Sequence, residues 1–232
     1  RSPINSFQET IMKLNKQREK IVTISKKLLA DGVVHDGQGN LSIYDRDSGL
    51  VVITPSAVPY RQRTAEDICV IDVEGNVVEG KWKPTSELAL HLIYYQNRAD
   101  VNAVIHTHAL NATVFGIIGE QPMPMVLNEA AMGLGGPVPI APYGRPGTEE
   151  LAEVTFKATG EGYAVIMAHH GLVTVGDTLE QAYFATAAAE ATAKTITLAR
   201  SMGAHPKALS QEEVKALRGM FINYKPKEVS GS

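Results

Sequence analysis

The chain has 232 residues, 44% of them hydrophobic, and a formal net charge of -3. That is enough apolar material for a sizeable core without disulfides or a structural metal, and the lack of a dense Lys/Arg stripe argues against nucleic acid or an anionic membrane as partner. A single cysteine, Cys69, excludes a disulfide framework and a Cys-rich zinc cluster, and no run of about eighteen apolar residues predicts a membrane span.

No Pro/Gly/Ser-rich linker divides the chain, so one domain over residues 1–232 is expected. The N-terminal segment is polar, with Glu9 and Lys13 where a secretory leader would be apolar; together with the lone cysteine this leads us to expect a cytoplasmic protein.

In chain order, Ser6-Phe7-Gln8-Glu9 has the form of a capping box. Ile11, Leu14, Ile21, Ile24, Leu28 and Leu29 then supply a helical stripe that stops near Gly32. Leu41–Tyr44 and Leu50–Thr54 flank a turn-rich segment and predict a hairpin, as do Cys69–Val73 and Asn76–Val78 across Glu74-Gly75. Thr85 is expected to cap a helix through about Asn97, and Val104-Ile105 leads a strand into His106. Ala109 opens another helix, and Tyr163–Ala168 is a short apolar run of strand length. Thr178–Met202 forms a long Ala-rich helix, and Ser210-Gln211-Glu212-Glu213 starts a last one. Hairpins alternate with helices without a regular βαβ rhythm, so the fold class is α/β, with a mostly antiparallel or mixed sheet flanked by helices.

The chemistry concentrates in histidines. On a strand, residues two apart share a face about 7 Å apart at the backbone, so His106 and His108 can bite one ion, while Ile105 and Thr107 face a core. A lone His-x-His is more often two packed core histidines. Here Glu87 and the His169-His170-Gly171 segment bring the further imidazole and carboxylate that a catalytic divalent site needs. Consecutive residues at a strand end face opposite ways, which leaves one of His169 and His170 for the ion. Gly37–Asn40, Thr54–Ala57 and Thr85-Ser86 offer small hydroxyl, amide and backbone N–H groups of the kind that cradles a phosphate, although each alone is an ordinary turn. His91, four residues after Glu87, reads as packed rather than ligating, and Met123 and Met125 read as packing residues. Arg145 reads as a solvated loop residue, and Trp82 near the phosphate segments is open to either role.

Taken in order, GQGNLS, ITPSAVPY, GKWKPTSELALH, AVIHTHA, IAPYGRPGT and AHHGLV resemble the motif series of the class II aldolase/adducin family, closest to its fuculose-phosphate aldolase branch, from about residue 10 to residue 225. The resemblance implies that family's fold, a homotetramer with active sites at subunit interfaces, and one Zn2+ or similar divalent ion (Mn2+, Co2+) per site. It implies His106, His108 and His170 as metal ligands. Glu87 would be both a resting ligand and the catalytic acid/base. Asn40, Ser56, Ala57, Thr85 and Ser86 would hold the substrate phosphate, with Ala57 standing where the family has glycine.

Tyr224 matches a catalytic tyrosine of the family's C-terminal tail, whereas Asn128 stands where an interface tyrosine donates a proton, a role an amide cannot fill. The activity implied is cleavage of a small phosphorylated sugar, a ketose 1-phosphate such as L-fuculose 1-phosphate. The products would be dihydroxyacetone phosphate and an aldehyde, formed by way of a metal-stabilised enediolate. Within the same family the alternatives are a ribulose-phosphate 4-epimerase, a sugar-acid phosphate decarboxylase or a methylthioribulose-phosphate dehydratase. Thr85-Ser86-Glu87 favours the aldolase, because those epimerases carry an aspartate-containing version of the motif. A non-catalytic adducin-like module is remote, since adducins lack the metal histidines.

Overall fold

The computed structural model describes residues 12–119 and 122–223. The order is α1 (Asn15–Ala30), β1 (Asn40–Asp45), β2 (Leu50–Ile53), β3 (Cys69–Asp72), β4 (Val77–Glu79), α2 (Leu88–Asn97), β5 (Ala103–Thr107) and α3 (Leu110–Ile118). It continues with α4 (Asn128–Leu134), β6 (Ile140–Ala141), α5 (Glu149–Thr159), β7 (Ala164–Met167), β8 (Gly171–Gly176), α6 (Leu179–Ser201) and α7 (Gln211–Asn223). The strands form one eight-stranded sheet in the order β4-β3-β2-β1-β5-β8-β7-β6. Every pairing is antiparallel except β6 with β7, so the expected mixed sheet is what forms.

Strand alternation divides the core into two layers. Leu41, Val52, Ala103, Ile105, Ile166 and Leu172 face α1, α3, α4, α6 and α7. Val51, Ile53, Val104, Val165, Val173 and Val175 face α2 and α5. Burying a single Ile or Leu of this kind is worth about 1.5–3 kcal/mol, so register is strongly specified: a one-residue slip of β5 would exchange Ile105 for His106 in the larger core.

Most expected elements form, and their ends have local causes. The Asp45–Gly49 turn closes through Ser48 N–H to Asp45 Oδ2 (3.1 Å) and Gly49 N–H to Asp45 O (2.9 Å). Thr178 caps α6 by accepting from Gln181 N at 3.2 Å, and Ser210 accepts from Glu213 N at 3.1 Å. The capping box at Ser6–Glu9 lies outside the described residues.

Thr85 does not cap α2. Its N–H bonds Thr54 O at 3.1 Å, beside a Pro55–Pro84 bridge, which holds it extended and moves the N-cap to Glu87. β8 was not anticipated, because Gly171–Gly176 is buried throughout and lacks the period-2 signature of a half-exposed strand. β6, α4 and α5 were likewise not anticipated. Met123 and Met125 are core residues, as their packing role requires. No helix among the described residues is long and apolar enough to cross a membrane.

Candidate metal and phosphate site

The middle of the sheet gathers the expected site residues at one end. Asn40 opens β1 directly opposite His106 on β5. His108 lies one residue past that strand, and β8, the other neighbour of β5, begins immediately after His170. His106 leaves the sheet on the face that carries Val104, which is the α2 face, where Glu87 stands at the helix N-cap. Two glycines make this crowding possible. A Cβ on Gly39, whose φ is +84°, would collide with the His106 carbonyl oxygen, and one on Gly171 would collide with that of Thr107.

His106, His108 and His170 offer ligand atoms within 4.8 Å of one another, with ring centroids 4.8–5.0 Å apart. His169 is excluded by geometry. His170 N–H bonds Met167 O at 3.2 Å, so the two histidines sit in a tight turn rather than on a strand, and the turn places exposed His169 at φ 57°. The opposite orientation of the two side chains thus arises from a left-handed residue, not from strand alternation.

The donor set fits a cation. His106 Nδ1 donates to Leu172 O at 3.1 Å, so in the neutral ring Nε2 presents its lone pair. That atom lies 3.2 Å from Glu87 Oε2, and His170 Nε2 lies 3.3 Å from Glu87 Oε1. Neither His106 Nε2 nor Glu87 Oε1 has an aligned hydrogen-bond partner although both are buried. Facing acceptors in a buried site are costly without a positive centre between them, and a metal ion supplies one.

Electrostatics agree with that reading. Burial pushes the His106 imidazole down to about 4 against the attraction of Glu87, and burial also lowers His108 and His170, so all three are neutral and able to ligate. Burial alone would raise the Glu87 carboxyl; His106 and the Asn40 amide outweigh it and hold the carboxyl below its ordinary range.

Behind Glu87 runs a chain of buried hydrogen bonds. Glu87 Oε2 accepts from Asn40 Nδ2 at 2.9 Å, which fixes the amide with Oδ1 toward His91. His91 Nε2 donates to that oxygen at 2.5 Å, and its Nδ1 accepts from the Ser42 hydroxyl at 2.6 Å. Ser42 in turn accepts from the Tyr95 hydroxyl at 2.5 Å. His91 is fully buried, and burial pushes its pKa down to about 3. It is a packed histidine, as its helical position implied, yet it orients a residue of the site. The Glu87–His91 spacing of four was the available signal.

The three segments expected to bind phosphate line one cleft of about 400 Å³, which Glu87, His108 and His170 also line. Several of their polar groups also bond within the protein. The Asn40 amide is engaged by Glu87 and His91. Ser56 donates its amide to Lys83 O and its hydroxyl to Pro84 O, both at 2.9 Å, and so stitches two of the segments together. Thr85 Oγ1 accepts from Glu87 N at 3.3 Å, and Ser86 is exposed. Ala57 takes φ 60°, the left-handed conformation that suits glycine.

Other expected residues lie apart from the cleft. Asn128 is exposed at the start of α4, Arg145 is exposed in its loop, and Trp82 Nε1 donates to Asp67 Oδ1 at 2.8 Å. Tyr224 lies outside the described residues. Arg63 lines the cleft and was not singled out from the sequence, since one arginine in a turn-rich stretch carries no pattern.

A sequence model described as the class II aldolase and adducin N-terminal domain matches residues 19–197. The chain belongs to the class II aldolase and adducin family. It is 36% identical over 214 residues to a 5-deoxy-D-ribulose 1-phosphate aldolase from Bacillus thuringiensis, a match covering 92% of this chain and 99% of that one. It is 32% identical over 213 residues to an L-fuculose phosphate aldolase from Escherichia coli, covering 92% and 97%. Among solved structures, an L-fuculose 1-phosphate aldolase superposes with a TM-score of 0.84 at 36% identity, over 89% of this chain and 96% of the other. The family's fold is therefore that of this chain, as the ordered motifs implied.

Proposed function

We propose that the protein is a metal-dependent aldolase that cleaves a ketose 1-phosphate to dihydroxyacetone phosphate and an aldehyde. The observation that carries this reading is the Glu87 carboxylate set 3.2 Å from His106 Nε2 and 3.3 Å from His170 Nε2 at the end of a cleft lined by the three phosphate-type segments. Three neutral imidazoles and a carboxylate suit Zn2+, which when bound would supply the Lewis acidity that stabilises the negative charge left on C3 as the C3–C4 bond breaks.

The chain's own residues then have defined work. Glu87 is held ionised, so as the C3–C4 bond breaks it can take up the proton that leaves the C4 hydroxyl, relayed by water, and deliver it to C3; this completes dihydroxyacetone phosphate and leaves C4 as the aldehyde carbon. Asn40 keeps the carboxylate aimed, and the cleft segments orient the substrate by its phosphate. The names of the relatives favour five- and six-carbon deoxy ketose 1-phosphates as substrates. α3 leaves Leu110 and Ile117 exposed and α6 leaves Leu198 exposed, apolar surface that suits self-association of the kind the family's homotetramer requires.

The test is release of dihydroxyacetone phosphate from L-fuculose 1-phosphate and 5-deoxyribulose 1-phosphate by chelated and zinc-restored protein in parallel. Zinc-dependent release is expected. No release by metal-loaded protein would overturn the aldolase reading in favour of epimerase, decarboxylase or dehydratase chemistry. Glu87→Gln should keep the fold and phosphate affinity while losing turnover by about 100-fold or more, in the range for a proton-transfer group; an unaltered rate would remove Glu87 from the mechanism.

A further inference from the structure

Arg63 is 2% exposed and lines the cleft beside Ser56, Ala57 and Val58. Among the described residues that line the cleft, it is the one permanent cation. Its Nη2 donates to Val58 O at 2.8 Å, its Nη1 to Ser25 Oγ at 3.3 Å, and the guanidinium carbon stands 4.2 Å from the centre of the Tyr60 ring. Nε is buried without a partner.

Among the described residues no carboxylate forms an ion pair with Arg63. Besides the Tyr60 phenol it packs on, the two carboxylates whose charge it feels are engaged elsewhere: Asp36 with Arg61 at 3.5 Å and Asp67 with Lys81 at 3.0 Å. A guanidinium taken out of water without a counter-ion is expensive, and such groups are retained where a ligand completes them. The expected phosphate side chains Asn40 and Ser56 are already bonded within the protein, which leaves an arriving dianion short of charged partners.

We propose that Arg63 is the built-in counter-charge for the substrate's phosphate, the residue that makes the cleft select a phosphate monoester over a neutral sugar. The inference rests on the phosphate-cleft reading given above and deepens it. Arg63 completes its own ion pair with the ligand's dianion and, through Val58, holds the backbone of the Ser56–Val58 turn against it. Charge and turn geometry then act together, as a guanidinium does in other phosphate sites.

The experiment titrates inorganic phosphate into the zinc-loaded full chain by calorimetry, for the parent protein, Arg63→Gln and Arg63→Lys. Gln still donates to Val58 O but has no charge, and Lys keeps the charge without the fork. The expected result is at least tenfold weaker phosphate binding in R63Q and much smaller weakening in R63K, with melting curves of both variants confirming the fold. Unchanged affinity in R63Q would overturn the proposal. So would equal losses in R63Q and R63K, which would make Arg63 a prop for the turn. If R63Q does not fold, Arg63→Met, which fills the same volume without charge, is titrated in its place and read by the same two criteria. Phosphate binding is read without turnover, so an inactive but phosphate-binding parent would sink the aldolase reading and leave this one standing.

Discussion

Asn40 stands between Glu87 and His91, donating to the carboxylate through Nδ2 and accepting from the imidazole through Oδ1. The amide has one orientation that satisfies both, so His91, which bonds none of the three clustered histidines, helps set where the Glu87 oxygens point. His91→Leu would leave Asn40 Oδ1 unpaired in a buried place, at a cost of about 1–3 kcal/mol, would leave Ser42 with Tyr95 alone, and would free Asn40 to turn. The expected outcome is a fall of roughly tenfold in kcat with little change in inorganic phosphate affinity, alongside a lower melting temperature. A variant that loses stability but keeps its full kcat would show that the chain of hydrogen bonds serves the core alone.

Ala57 pays for a left-handed backbone that its relatives are expected to fill with glycine. A non-glycine residue at φ 60° costs about 1–2 kcal/mol, partly offset by the greater freedom of glycine in the unfolded chain. Because Ala57 is exposed, its methyl group contributes little packing. Ala57→Gly should therefore raise the melting temperature by about 2 °C. A drop in melting temperature would mean that the turn is held by the methyl group rather than strained by it.

The two neighbouring histidines of the β7–β8 turn should separate cleanly by metal content. His170→Ala removes one of three grouped imidazoles and should lose at least tenfold in zinc affinity, measured by competition with a chromophoric chelator. His169→Ala leaves the cluster whole and should bind zinc as the parent does. Equal losses in the two variants would contradict the turn geometry.

Acid should destabilise the chelated protein before carboxylate titration begins. An unfolded chain protonates histidine near its ordinary 6.5, whereas His91 in the fold stays neutral down to about 3. The unfolded state therefore binds the extra proton throughout that window. The stability present above pH 6.5 is lost as pH falls toward 3, by about 1.4 kcal/mol per pH unit from this group. His106, lowered to about 4, acts in the same direction, and Glu87, held below 4.5, joins below its ordinary value. Urea midpoints at pH 7 and pH 5 measure this, and the slope should flatten in His91→Leu. Equal midpoints in the parent protein would show that these rings accept protons in the fold.

The clustered histidines were legible in two different ways: His106 and His108 lie two apart on one strand pattern, whereas His170 rather than His169 followed from the resemblance to the family's motif. What escaped reading depends on long-range register. The pairing of Asn40 with His106 sets its amide against Glu87 while Asn40 still lines the cleft, and nothing within six residues of Asn40 signals that contact. Arg63 gains its meaning from burial beside a turn that its own neighbours do not reveal, and β8 hid because uniform burial erases alternation. The helix around Thr178 succeeded for the opposite reason, its cap and its apolar stripe lying in one continuous stretch.

The sheet order has a consequence for a chain made from its N-terminus. Strands β4, β3, β2, β1 and β5 can assemble from the first half of the sequence, leaving β5 as an open edge with Val104 and Ile105 at its centre. Such an edge is a template for pairing with another nascent chain. It stays open until β8 is synthesised and inserts beside it, and His170 arrives with that same strand. The third imidazole of the cluster and the cover for the β5 edge are therefore delivered together.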